Sequence, residues 1–555
     1  MKIVSFWLLF VPTSLFITLT TLAACGILPS LPAYTSINTD RGLDTRPVVE
    51  VVRAEFAPSR GTTQTAEASS PFVGIAVSGG GSRAAAFATA VFHELDRLGF
   101  LSHVTTISSV SGGSLPATYF ALNGENIKSE EDWESFHDLM RTSFRSKWLW
   151  RYIRPDNLLL NLVTDFDRSD VMAEVFDDEL FKNKTYADLG QGGKRRPALL
   201  INATQIGTSE ARRFTFTGSN FNAFVDSQLA SFPLSRAVMA SAAFPGVFNA
   251  ITLKSNVTGP PRLTPWPRTY VHLIDGGPSD NMGAETLFAA ARAHRGTSQT
   301  SDFSCFMFIV DAYPPNDDSS SLRRDLRSGF TDYIVDSNFI DSVDALLVRR
   351  RETTLRDLGF RNEIRGSADN SFSDPAWPKR TTQPTDAFYV GEEKLSRLVI
   401  PYQRVLSVPL GTSKEARGLS NAQCLVWHIG MSEIASLPYS AEDIPPVPGP
   451  VGEARHPTLV FRQRLWHLTN RIKTDFNLVG PDRCSPQTLQ SALRDSAYVL
   501  TNEDDTSRKA ACVWFQSKFK DSSFTCSDRV VPLRQRTLPL SVEGTRGSLK
   551  FQCEE

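Results

Sequence analysis

After residue 70 two periodicities alternate along the chain. Phe72 to Val77 is apolar at nearly every position and is followed by Ser78-Gly79-Gly80-Gly81-Ser82-Arg83. Ala85, Ala88, Val91, Phe92 and Leu95 then recur at helical spacing over 82–98, and Gly99 ends that stretch as a C-cap would. A second apolar run, 104–108, leads into Ser109-Val110-Ser111-Gly112-Gly113, and a second helical stretch opens at Gly112 and runs to about residue 122. Strand, helix, strand and helix in series predict a parallel pair joined by a right-handed crossover. The runs at 198–204, 270–274 and 303–310 predict further strands, and 130–142, 170–176, 234–242 and 322–351 predict helices. The pattern reads as an α/β fold with a mainly parallel central sheet.

The flanks read differently. Lys2 precedes an apolar stretch from Ile3 to Ala24, interrupted by Pro12, which ends in Leu22-Ala23-Ala24-Cys25-Gly26. Small residues before a cysteine resemble the lipobox of bacterial lipoproteins, which implies export, cleavage before Cys25 and lipidation of its thiol. An uncleaved membrane helix is the alternative, and Pro12 weighs against it. Residues 26–70 are rich in small and polar positions and read as a spacer. The expected organisation is a signal peptide at 1–24, an anchored spacer at 25–70 and a catalytic core at 71–315. A continuation of the catalytic region at 316–445 and a helical, cysteine-bearing region at 446–555 follow, with a proline-rich linker at 443–457 and an amphipathic helix at 459–476. Residues 145–162 mix Trp148, Trp150, Tyr152 and Ile153 with Arg145, Lys147, Arg151 and Arg154. Such a mixture suits a lid or membrane contact, or else a buried inserted subdomain.

Composition narrows the function. The net charge of -1 over 555 residues offers no basic footprint for nucleic acid. Besides Cys25 there are six cysteines, an even number that permits disulfides in an exported protein, four of them after residue 480. Cys305, inside the apolar run at 303–310, is expected to be a buried thiol. No C-x-x-C and no histidine pair at ligand spacing predicts a metal site.

Three segments carry the chemistry. Gly79-Gly80-Gly81 follows a strand, where amides unshielded by Cβ atoms can face a developing oxyanion. Ser111 stands after the next strand in S-x-S-G-G, a nucleophile elbow with Ser109 in place of the first glycine of G-x-S-x-G. Asp275 ends the run at 270–274 before Gly276-Gly277 and puts a carboxylate at a strand terminus, where sites in parallel sheets form. Gly79-x-Gly81-x-x-Ala84 also fits a dinucleotide fingerprint. That reading needs an acid after the second strand, where Ser109-Val110-Ser111 stands instead, so no nucleotide cofactor is expected.

In order and context these segments resemble the patatin-like phospholipases and the related catalytic domain of cytosolic phospholipase A2. The match runs through Gly79, Gly80, Gly81 and Arg83, then Ser111 and Gly112, then Asp275 and Gly276, with further likeness at 200–204 and 240–246. It covers about 72–283, with weaker hints to 311. The resemblance implies a three-layer α/β fold and a Ser111–Asp275 dyad without histidine. It implies an oxyanion hole at Gly79, Gly80 and Gly81, turns supported by Gly112 and Gly276, and no metal or cofactor. The implied substrate is a phospholipid or other lipid ester, cleaved through an acyl-enzyme. Arg83 would bind the substrate phosphate or brace the loop. Two other readings remain open: an α/β-hydrolase triad with a late histidine such as His428 or His467, and a catalytically silent lipoprotein that binds lipid or a partner.

Overall fold

The computed structural model describes residues 71–164, 166–190, 197–207, 212–255, 270–295, 303–313, 337–358, 360, 405–409, 423–436, 447–448, 454–455, 465, 468–469, 472, 474, 476–478, 484–519, 540–543 and 550–553. The leader, the spacer, residues 322–336, and most of 443–457 and 459–476 lie outside them.

The sheet is built from β1 (Phe72–Val77), β2 (Thr106–Val110), β3 (Ala198–Ile206), β4 (Arg212–Thr215), β5 (Ile251–Lys254), β6 (Tyr270–Ile274), β7 (Cys305–Asp311), β8 (Val405–Pro409) and β9 (Gln423–Gly430). Its order is β5-β6-β3-β2-β1-β7-β9-β8, with β4 paired to β3. The five central strands from β3 to β9 are parallel, and β4, β5, β6 and β8 pair antiparallel around them. The mixed α/β fold with a mainly parallel sheet is therefore as expected.

The helices are α1 (Gly81–Arg97), α2 (Ser114–Asn123), α3 (Glu130–Met140), α4 (Phe144–Tyr152), α5 (Pro155–Val163), α6 (Arg168–Phe176), α7 (Leu234–Ala242), α8 (Ala284–Arg295), α9 (Ser337–Asp357), α10 (Pro486–Tyr498) and α11 (Asp505–Phe519). The continuous apolar strands are explained by burial on both faces. Val73, Ile75, Phe306, Phe308 and Trp427 pack into one layer with α1, α3, α7, α10 and α11. Phe72, Ala76, Cys305, Met307, Ile309 and Val426 pack into the other, with Leu287 of α8 and Leu355 of α9. Helix starts follow local chemistry: Ser129 and Asp132 form a capping box on α3, Asp167 and Asp170 one on α6, and Ser485 caps α10 ahead of Pro486.

Four expectations change. The second strand begins at Thr106 rather than residue 104, because a 3-10 turn at Leu101–His103 occupies the approach and Thr106 pairs with Gly74. Cys305 is not a free thiol: it is bridged to Cys424, its register partner on β9, and Cys484 and Cys512 are also disulfide-bonded. The expected continuation at 316–445 and the helical region at 446–555 both contribute to the main core rather than stand apart from it. β8 and β9 extend the main sheet, and Phe515 of α11 packs on Phe100, Phe306 and Phe308 in the main core. Finally, α4 and α5 form no buried subdomain. Trp148 turns inward to donate to Arg168 O, but Trp150 is 71% and Leu159 58% exposed, beside Leu149, Ile153 and Leu158. The cations there are engaged: Lys147 with Glu179, Arg151 with Glu174 and Asp178, and Arg154 with Asp156.

Candidate active site

The β1–α1 turn, the end of β2 and the end of β6 meet at one place. β3 overhangs β2: Val110 pairs with Asn202, while β3 continues to Ile206. β6 runs antiparallel along that overhang, with Ile274 opposite Thr204, and so descends to the level of Ser111. The carboxylate thus arrives from an antiparallel strand, which corrects the expectation that it sits at a parallel strand's end.

Ser111 has φ +51°, a left-handed backbone that costs a residue other than glycine about 1–3 kcal/mol and persists only where its surroundings impose it. The imposed turn requires the glycine behind it: a Cβ on Gly112 would stand 2.1 Å from Gly81 O. The glycine run is held on both sides. Ser78 N–H donates to Val310 O, and Ser78 Oγ accepts from Ala312 N. Gly81, at φ +54°, lies so close to Thr474 that a Cβ would fall 1.7 Å from its carbonyl oxygen. Arg83 braces this arrangement, donating from Nε to Ala312 O and from Nη1 to Ile472 O, each at 2.9 Å. Of the two roles open to Arg83, the structure supports bracing.

The three glycine amides differ. Gly79 N–H donates to Asn281 O at 3.0 Å, so Gly79 supports the loop rather than offering a free donor, a correction to the expected trio. Among the described residues, the Gly80 and Gly81 amides have no acceptor.

Asp275 is buried, and its Oδ1 accepts from Gly277 N at 2.8 Å. Burial pushes its carboxyl up to about 6, against the opposing pull of the nearby Ser111 hydroxyl and the Gly277 amide. Gly276 is needed beside it, since a Cβ there would lie 2.3 Å from Asn202 O. His428 is elsewhere. Its Nε2 lies 3.1 Å from Asp311 Oδ2, and its Nδ1 pairs with Glu433. Burial alone would lower the imidazole, but the two carboxylates outweigh it and hold it at about 9. His467 and Cys25 lie outside the described residues.

The histidine reading therefore loses its described member, and the geometry supplies a serine, a carboxylate with a raised pKa and two free amides. Sequence reasoning gave no role to Ser241, Asn202, Asn281 or Ile472. Ser241 Oγ accepts from Ser111 N at 2.8 Å, and Asn202 Nδ2 donates to Ser108 Oγ and Ser109 O beneath the turn. Their only signal in the sequence was the family likeness at 200–204 and 240–246.

The family model described as patatin-like phospholipase matches residues 75–288. Human GIVD cytosolic phospholipase A2 is similar in structure at 14% identity, over 85% of this chain and 63% of that one, with a TM-score of 0.45. The same enzyme in complex with methyl gamma-linolenyl fluorophosphonate aligns at 14% identity over the same shares, with a TM-score of 0.39. VipD from Legionella pneumophila aligns at 10% identity over 81% of this chain and 76% of that one, with a TM-score of 0.23. The chain thus spans 63% of the length of the human enzyme it matches. No curated protein sequence matches it.

Proposed function

On the premise that residues 75–288 are a patatin-like phospholipase domain, we propose that the chain is a serine acyl hydrolase acting on phospholipids or other lipid esters. The observation that carries this reading is Ser111, held in a left-handed elbow beside buried Asp275, whose carboxyl feels the Ser111 hydroxyl. Asp275 takes the hydroxyl proton as Ser111 Oγ attacks the ester carbonyl, and the amides of Gly80 and Gly81 receive the oxyanion. Collapse of the tetrahedral intermediate expels the alcohol, which leaves with the proton from Asp275, and the acyl group stays on Ser111. Water then gives a proton to Asp275 as it attacks the acyl-enzyme, and the fatty acid leaves as that proton passes back to Ser111 Oγ. A carboxylate is a weak base for an alcohol, so its raised pKa favours the transfer.

The lipobox-like Cys25 adds a location: an exported protein anchored by acyl chains at the surface where its substrate lies. The test is fatty-acid release from mixed phospholipid vesicles. Ser111→Ala and Asp275→Asn should each lower release by roughly 10⁴-fold without lowering the melting temperature. Release retained in either variant would end the dyad reading, and an inert wild type that no fluorophosphonate labels would favour the silent lipid-binding protein.

A further inference from the structure

The elbow poses a problem that its own strand cannot solve. The β2–β3 ladder ends at Val110 and Asn202, and the turn to φ +51° takes the Ser111 N–H out of that ladder. The residue is buried, so this amide would be an orphan donor without a partner from elsewhere. The partner comes from the end of α7, 130 residues away. Ser241 Oγ accepts from Ser111 N at 2.8 Å and donates its own proton to Asn202 O at 2.6 Å, while Ser114 Oγ lies 3.2 Å from it. Ser241 is 0% exposed, so no solvent competes for these bonds.

The same stretch of chain holds the base. The last carbonyls of a helix lack intrahelical partners. Here Ser241 O accepts from Gly276 N at 3.1 Å and Ala243 O accepts from Asp275 N at 2.9 Å. One residue therefore touches the nucleophile through its side chain and the turn of the base through its backbone. We propose that Ser241 is a positioning residue for the reaction: its hydroxyl fixes the Ser111 backbone while its carbonyl fixes the Asp275–Gly276 peptide, which sets the distance between nucleophile and base. This rests on the acyl-hydrolase reading above. An alanine would leave the Ser111 amide unpaired and free the elbow to relax, letting Ser111 drift from Asp275. A cysteine would keep a weaker acceptor in nearly the same space.

The full chain with Ser241→Ala and Ser241→Cys, beside wild type and Ser111→Ala, tests this with short-chain phosphatidylcholine as substrate and a fluorophosphonate as label. Ser241→Ala should lower both kcat and the labelling rate by about 10²-fold, with KM within about threefold of wild type. Its acid limb in kcat/KM should move to higher pH, because the Ser111 hydroxyl that favours ionised Asp275 moves away. Ser241→Cys should fall between the two, and it carries the test if the alanine variant does not fold. Wild-type kcat and an unmoved acid limb in the folded variants would overturn the proposal. So would a loss of stability with no change in kcat or in the pH profile. A wild type that neither cleaves nor labels would bring down the hydrolase reading, and this proposal with it. An active wild type with unaltered variants would bring down this proposal alone.

Discussion

As the proposed base, Asp275 has two tasks that pull in opposite directions. It must be buried to be a useful base, and burial disfavours the ionised form that acts as one. With its carboxyl held at about 6, kcat/KM should rise as pH rises through about 6 and level off above it, a limb that a pH–rate profile will locate. The stability consequence has the opposite sign. A carboxyl whose folded pKa is raised above its unfolded value of 3.8 contributes most while protonated, and that contribution is lost as pH rises through about 6. Asp275→Asn should therefore gain stability relative to wild type between pH 4 and pH 7, as chemical denaturation at several pH values would show. A flat difference across that range would mean that the carboxyl titrates normally. Ser111 and Asp275 were legible in the sequence because each stands where an apolar run stops at glycines, a local mark. Ser241 was not, because its role lies in a contact 130 residues distant that no local pattern encodes.

At the level of elements, the site is a matter of how closely two turns can approach. The glycine loop before α1 and the elbow before α2 touch through backbone alone, Gly112 against Gly81. Gly112→Ala would put a methyl group 2.1 Å from Gly81 O and push the oxyanion loop from the nucleophile. A displacement of this kind is expected to lower kcat by roughly 10²-fold or more while the fold persists, as parallel circular dichroism and kinetics would reveal. Unchanged kinetics would mean that the loop does not supply the oxyanion donors. The helices and strands themselves were mostly legible, because period and caps are local. Direction was not. The run at 270–274 has the same pattern whether parallel or antiparallel, so the descent of β6 along β3 could not be read. The amphipathic residues of α4 and α5 likewise did not say which face meets the core: Phe144 and Trp148 turn inward, while Leu149, Trp150, Leu158 and Leu159 are exposed.

At the scale of the molecule, the family match stops at 288, yet the parts that hold the site do not. Arg83 is fastened to Ala312 and Ile472, and Ser78 to Val310 and Ala312. Behind Ala312 lies a buried ionic group in which Asp311 bonds Arg351 and His428. Burial would raise the Asp311 carboxyl, but the two cations hold it well below its usual range. The strands that complete this half were missed because Pro409 and the short run at 405–408 do not read as a strand, and His428 interrupts the apolar run at 424–429 before Gly430. The same gap hid the partner of Cys305.

β1 lies in the middle of the sheet, with β2 on one side and β7 on the other. A fragment cut to residues 71–295 would keep Ser111, Asp275 and the glycine loop and lose β7. Its central strand, still covered on its faces by α1 and α8, would become an open edge of unpaired amides and carbonyls. Such a rim is a template for another copy of itself. The excised piece should therefore assemble into β-rich aggregates on expression, visible by light scattering and thioflavin binding, where the full chain stays dispersed. A monomeric, active fragment would show that the matched stretch folds on its own. The expected outcome makes the remainder of this chain the guard on its own hottest surface, and cutting at the boundary of the family match would turn a dispersed protein into a seed.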